Sequence, residues 1–202
     1  NISVQNQKSF GYFHKYSKNK LSAESNFTSF IFPSGLKFNK LDLEFNLEGE
    51  NIECNLQSAS FLNQNDHQEI KTRINHFYPN CKSYQKVKNV MNSESKGVYQ
   101  GKIFVKDVAQ KTDAYQLSKA ILLSEKSEFD SKPELEIYAD DVKCSHGSSS
   151  GSLDEDSIYY LMTRGLSKKE SVELLVNGFL SEVIDSIKSN SIKNFIKSKL
   201  ED

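Results

Sequence analysis

The sequence has little that would mark a secreted protein or an enzyme. Its 202 residues include three cysteines, Cys54, Cys81 and Cys144. An odd, low number in a chain of this length argues against a disulfide framework and points to a reducing cytosol or organelle matrix. No CxxC pair occurs, which removes zinc-ribbon and thioredoxin-like readings. No apolar run approaches the roughly 20 residues that span a bilayer. The start lacks the basic and apolar stretches of a signal peptide. There is no GxxxxGK motif, no GxGxxG after a strand, no GxSxG elbow and no HExxH. Any ATP-driven step must therefore come from another protein. Basic and acidic residues balance at 26 and 27, so the surface does not advertise nucleic-acid or anionic-membrane binding. The chain opens on Asn1 rather than Met, as expected of a fragment with a segment missing before it.

Hydrophobic residues are only 37%, but 13 Phe and 9 Tyr can fill a core. Residues 1 to about 140 carry short runs of alternating apolar and polar side chains. The clearest are Leu41–Leu47 and Gly101–Val105. Period two buries one face and wets the other. Further strands are predicted at Phe27–Phe32, Ile52–Leu56, Ile70–Tyr78, Ser83–Val90, Thr112–Gln116 and Leu135–Tyr138. Many short strands suggest a sandwich, a barrel or a solenoid, although no strict repeat is visible. No Asn-Gly or Asp-Gly pair separates these runs. Without tight hairpins the solenoid is favoured, because its strands turn through broader corners.

The pattern changes at Gly147-Ser148-Ser149-Ser150-Gly151, predicted as a loop or hinge. Residues 151–202 read as helical. Ser152 with Glu155 forms a capping-box pattern opening a helix that Arg164-Gly165 ends, and Ser167 with Glu170 forms a second. The next helix carries a stripe from Val172 through Val176, Phe179 and Leu180 to Ile187. Asn190-Ser191 breaks it, and a third helix holds Ile192, Phe195, Ile196 and Leu200. The stripe can pack on the solenoid, dock a partner in a groove, or do both.

The most pointed chemistry lies in Asp140-Asp141-Val142-Lys143-Cys144-Ser145-His146-Gly147. On an extended segment Cys144 and His146 share a face, about 7 Å apart. Thiolate and imidazole suit zinc, iron or its clusters. Two ligands leave a four-coordinate site unfinished, so a distant part of the fold or a second chain would complete it. The plain structural alternative is a half-buried Cys and a hydrogen-bonded His at a strand end. His67 and His76 are expected in solvated or turn-stabilising roles. His14 is expected to pack in the aromatic stretch Phe10, Tyr12, Phe13 and Tyr16. Cys54 reads as a core thiol and Cys81 as a corner residue.

From Gly101 to Val183 the sequence resembles the SufB/SufD family of the SUF iron–sulfur assembly system. The resemblance is carried by Gly101–Val105, Ala109–Gln116, Leu122-Leu123-Ser124, Lys132–Gly147, Tyr160-Leu161, Arg164-Gly165-Leu166 and Gly178-Phe179. Asp66-His67, His76 and Ser83-Tyr84-Gln85 fit more loosely. Cys-Ser-His-Gly at 144–147, rather than the Glu-His-Glu variant, is similar to the SufD branch. The resemblance implies a mainly β fold, a right-handed parallel β-helix over 1–150 with a C-terminal α-helical segment over 151–202. It implies a non-catalytic scaffold subunit that pairs with a SufB-like subunit through the β-helix and docks a SufC-like ATPase through the helices. Carried over, Cys144 and His146 are cluster-related positions at the subunit interface. Tyr159, Tyr160, Arg164, Gly165, Val172, Val176 and Phe179 are expected at the ATPase-docking surface. No cofactor is expected to stay bound in isolation, only transient iron or an iron–sulfur cluster with the partner. Cytoplasm or an organelle matrix such as a plastid is the expected location, with no nucleic-acid or membrane partner. The N-terminal helical region that precedes the family's β-helix has no match here.

Two other classes are weighed against this. Polysaccharide-active β-helix enzymes line a face with carboxylates and aromatics, but the free cysteines and missing signal peptide speak against one. A purely structural solenoid that self-associates as a homodimer is the other, because solenoid ends are sticky.

Overall fold

The computed structural model describes residues 11–33 and 36–201. Phe10, named above, lies outside them. The elements run in chain order: β1 (Tyr12–Ser22), β2 (Asn26–Ile31), β3 (Phe38–Glu48), β4 (Glu53–Leu62), β5 (His67–His76), β6 (Lys82–Met91), β7 (Lys96–Val105), β8 (Asp113–Leu122), β9 (Glu128–Ile137), β10 (Lys143–Gly151), α1 (Glu155–Thr163), α2 (Lys168–Ile184) and α3 (Asn190–Glu201).

Successive strands alternate between two five-stranded sheets, ordered β1-β3-β5-β7-β9 and β10-β8-β6-β4-β2. Every neighbouring pair is parallel. The chain therefore winds as a mainly parallel β-solenoid of five turns, each adding one strand to each sheet. Parallel neighbours need a long connection, and here the opposite sheet's strand is that connection. This is why hairpin sequences are absent. Tyr12 pairs with Phe38, Phe38 with His67, His67 with Lys96 and Lys96 with Glu128, steps of 26, 29, 29 and 32 residues. The uneven step hides the repeat from sequence inspection.

The corners carry the backbone strain. Glu24, Asn51, Asn80 and Lys111 lead into β2, β4, β6 and β8, and Gln64 and Ser93 lead into β5 and β7; all six have positive φ. A side chain in this region costs about 1 kcal/mol, less for Asn. Bonds between stacked corners offset it. The Glu24 amide donates to the Glu50 carbonyl at 2.9 Å, Asn80 to Gln110 at 3.0 Å and Lys111 to Asp141 at 2.6 Å.

Inward positions form columns along the axis. One apolar cluster joins Leu21, Phe45, Leu47, Ile52, Leu56 and Ile74, and another joins Ile103, Val105, Ala109 and Ala114. Polar side chains share the interior by bonding across the sheets. Thr72 Oγ1 donates to Gln85 Oε1 at 2.6 Å, and the Tyr99 hydroxyl donates to the same oxygen at 3.2 Å. Ser118 and Ser131 hydroxyls meet at 2.7 Å. This mixture is how a chain of modest apolar content closes a core. Burial pushes the Tyr99 hydroxyl and the Cys54 thiol up to about 12, so both stay protonated.

The helices add a second core on the outer face of the β10-β8-β6-β4-β2 sheet. Val176, Leu180, Ile184 and Ile196 pack with Ala59, Val90, Phe61 and Ile121. Each fully buried aliphatic side chain contributes about 1.5 to 3 kcal/mol. One charge sits among them. Lys88 points outward from β6, is 2% exposed, and its ammonium pairs with Glu182 of α2. It also donates to the Phe179 carbonyl at 2.9 Å and lies 4.3 Å from the Phe179 ring centre. Lys86 reaches the same carboxylate at 2.9 Å. Hydrogen bonds from Lys88 and then Lys86 draw the Glu182 carboxyl down to about 2. Glu182→Ala would leave Lys88 buried without its anion. Breaking a buried pair costs about 3 to 5 kcal/mol. Glu182 is half exposed and screened, so a loss of about 1 to 3 kcal/mol is expected, read from urea midpoints.

Two local expectations are corrected. Gly147–Gly151 is not a loop; β10 runs through it, in register with β8 from Gly147 opposite Leu117 to Gly151 opposite Ile121. Small polar residues carry no strand propensity, but an adjacent parallel strand supplies the backbone partners. Helix α1 is capped by Asp154, which accepts from the Ser157 amide at 2.9 Å, not by Ser152, because the strand occupies the chain up to Gly151. The Ser167–Glu170 capping box is present as expected, and Gly165 follows the α1 C-cap with φ of +98°.

Candidate functional site

Parity within β10 decides what the last turn displays. Cys144 stands opposite Ala114, His146 opposite Gln116, Ser148 opposite Ser118 and Ser150 opposite Ala120. The β8 residues are buried inward positions. Cys144 and His146 therefore continue interior columns at the open end of the solenoid, where no further described strand covers them. Cys144 is half-buried and packs against the Ile103–Val105–Ala114 cluster, while His146 is exposed. The pair shares a face, as its spacing requires.

Burial pushes the Cys144 thiol up, a backbone hydrogen bond from Ala114 opposes this, and the Asp113 charge adds to it. At neutral pH the side chain is a thiol, and a nearby cation or metal would have to draw off its proton before it could act as a ligand. Among the described residues no group of three or more His, Cys, Asp or Glu side chains could hold a metal ion. A site using Cys144 and His146 would need ligands from elsewhere.

The two edges of the last turn differ. From Cys144 to Gly151 β10 carries no charge and no proline. Edge strand β9 carries Glu128, Asp130, Lys132, Pro133, Glu134 and Glu136. Charges and proline block strand addition, and their absence leaves the β10 edge open to it.

The expected docking residues divide between two sides of the helices. Tyr159 and Tyr160 are exposed. The Arg164 guanidinium lies 5.1 Å from the Tyr160 ring centre and donates to its hydroxyl at 3.2 Å. Val172 and Phe179 pack towards the solenoid, and Val176 is buried there. Val176 is thus unavailable to a partner while α2 keeps this position, because the sheet already uses its face of the stripe. Met162 and Leu174 are exposed apolar residues that sequence reading did not single out; helical spacing places Leu174 off the buried stripe.

The other titratable candidates meet partners within the fold. His14, expected among aromatic side chains, is instead exposed and meets Asp42 at 2.6 Å; the His67 ring lies tilted against Phe38 at 5.1 Å and meets Glu69 at 3.2 Å. The thiol of Cys81 donates to the Gly49 carbonyl at 3.2 Å in a corner. His76 departs from expectation: it is fully buried, with Nε2 2.9 Å from the Ser83 hydroxyl and Nδ1 without a partner. Its parity with Ile70, Thr72 and Ile74 was the available signal.

A family model described as SUF system FeS cluster assembly, SufBD core domain, matches residues 1–179. The chain is 31% identical over 154 residues to the iron-sulfur cluster assembly protein SufD of Escherichia coli, covering 76% of this chain and 36% of that protein. To Protein ABCI7, chloroplastic, of Arabidopsis thaliana it is 37% identical over 105 residues, covering 52% of this chain and 22% of that protein. To the protein named SufD of Plasmodium falciparum it is 28% identical over 193 residues, covering 94% and 13%. The chain thus spans little more than a third of the E. coli relative, and less of the others. With the solenoid, its C-terminal helices and a family match over most of its length, this chain belongs to the SufBD core family of the SUF iron–sulfur cluster assembly system.

Proposed function

We propose that this chain is the core of a SufD-like scaffold subunit in iron–sulfur cluster assembly. In this reading it pairs through its open end with a SufB-like subunit and docks a SufC-like ATPase through the exposed side of α1 and α2. The cluster, or the iron for it, is cargo held between subunits. The chain itself is non-catalytic, and ATP hydrolysis is the partner's. The single observation that carries the reading is the open end: an unprotected edge strand presenting Cys144 and His146 at inward-column positions. An incomplete ligand pair at an edge suited to strand addition is what a shared site between two chains requires. Exposed Tyr159, Tyr160, Met162 and Leu174 support the docking face. No helix of the described residues is long and apolar enough to cross a membrane. The cytosol or a plastid matrix is the compartment that fits three free thiols.

The test is His146→Ala in the complex with SufB-like and SufC-like partners. His146 is exposed, so the variant should fold and co-purify normally. Cluster yield, followed by absorbance during reconstitution, should fall by at least about tenfold, as for loss of a metal-site group. Full yield from a correctly assembled complex would remove His146 from the site.

A further inference from the structure

Among the described residues Lys88 is the one buried lysine, set at the seam between helices and solenoid beside Ala59 of β4 and Lys119 of β8. A methionine of similar volume would fill that place without desolvating a charge. What the ammonium adds is position. Its bonds to the Phe179 carbonyl and to Glu182, with the Phe179 ring 4.3 Å away, tie two residues of α2 to one point on β6. The apolar stripe cannot supply this, because aliphatic side chains tolerate a slide or rotation of the helix. A second polar contact lies further along the same seam, from the Ser186 hydroxyl to Gln57 Oε1 of β4. Strand β6 then leads through β8 to β10, in unbroken parallel register.

We propose that Lys88, with Glu182, is a register key that positions α1 and α2 on the solenoid, so that a load on the exposed side of these helices is carried through β6 and β8 to Cys144 and His146 on β10. Lys88 touches neither cargo nor nucleotide; it acts through α2. The inference rests on the docking reading above, and its test separates the two. Buried charged groups that set register rather than stability are an attested use of such pairs.

The variants are Lys88→Met and the conservative Lys88→Arg, read in two ways. In the chain alone, amide hydrogen exchange is followed across α2 and the strands. Lys88→Met is expected to speed α2 exchange by about tenfold through local opening, with the strands unchanged and the melting temperature no lower. In the complex with a SufC-like ATPase, the alkylation rate of Cys144 is measured before and after ATP. The unsubstituted chain and Lys88→Arg should show an ATP-dependent change in rate. Lys88→Met should bind the ATPase with similar affinity but lose that change. Unaltered α2 exchange in Lys88→Met overturns the register key, as does an intact ATP response. Failure of the unsubstituted chain to bind the ATPase overturns the docking reading and the load path with it, while the exchange measurement still decides whether Lys88 sets the helix register.

Discussion

Moving from pH 7 to pH 5 is expected to weaken the fold by about 2 kcal/mol through His76 alone. Burial without a counter-charge pushes the folded imidazole down to about 3, against an ordinary value of 6.5. The unfolded chain therefore binds a proton below about pH 6.5 that the folded chain refuses until about pH 3. Stability is fully present above this window and falls with pH inside it, by about 1.4 kcal/mol per unit. The carboxylates with lowered values, Glu44, Glu69 and Glu182 among them, lose their contribution only at more acid pH. His76→Gln keeps a hydrogen-bonding partner for Ser83 and removes the titration. Urea midpoints at the two pH values should show the acid penalty shrink by about 2 kcal/mol in the variant. Parallel pH profiles would mean that the buried imidazole is charged in the fold.

Gly49→Ala should cost about 2 to 3 kcal/mol or more. Gly49 lies in the corner between β3 and β4, packed on the corner of the turn before it. A Cβ there would stand 2.4 Å from the amide nitrogen of Ala23, 2.7 Å from its Cα and 2.8 Å from its Cβ. Backbone cannot swing aside as a side-chain end can, so the two turns must part. Parting them also strains the Cys81 thiol bond to the Gly49 carbonyl. Gly101 is a useful contrast. Its added Cβ would meet Gln116 Oε1 at 2.4 Å and the Tyr99 hydroxyl at 2.5 Å, and the carboxamide can shift. Ala23→Gly should not rescue Gly49→Ala, because two of the three close atoms are backbone. For a chain of this size the loss corresponds to a fall in melting temperature of about 4 to 12 °C. A change below about 1 °C, well under the shift that 1 kcal/mol produces, would show that the corners are not in contact in solution.

The sequence legible by period two was the part whose inward side chains are apolar. Leu41 to Leu47 and Ile103 to Val105 declare their faces, and both lie in strands as read. The second capping box was equally plain, since Ser167 and Glu170 satisfy each other's backbone locally. Strand β1 is not legible by period two because its alternation places Phe13, Lys15, Ser17 and Asn19 at inward positions of a terminal turn, where little is buried. His76 is illegible for a related reason: a polar residue at an inward position looks like surface until its cross-sheet partner, Ser83, is known.

By itself the sequence determined that the chain is mainly β with a helical end, that it turns without hairpins, and that Cys144 and His146 share a face. Those properties follow from local periodicity, local caps and the geometry of an extended chain. Only the tertiary structure decided that Gly147–Gly151 is a strand, that Val176 packs on the solenoid, and that Lys88 of β6 pairs with Glu182 of α2. It alone placed the Cys144–His146 pair at an open end. Each of these depends on a neighbour at least 30 residues away, as in Gly147 against Leu117, Val176 against Ala59 and Lys88 against Glu182. Stacked turns supply such neighbours at an uneven step, so no local pattern in the chain can announce them.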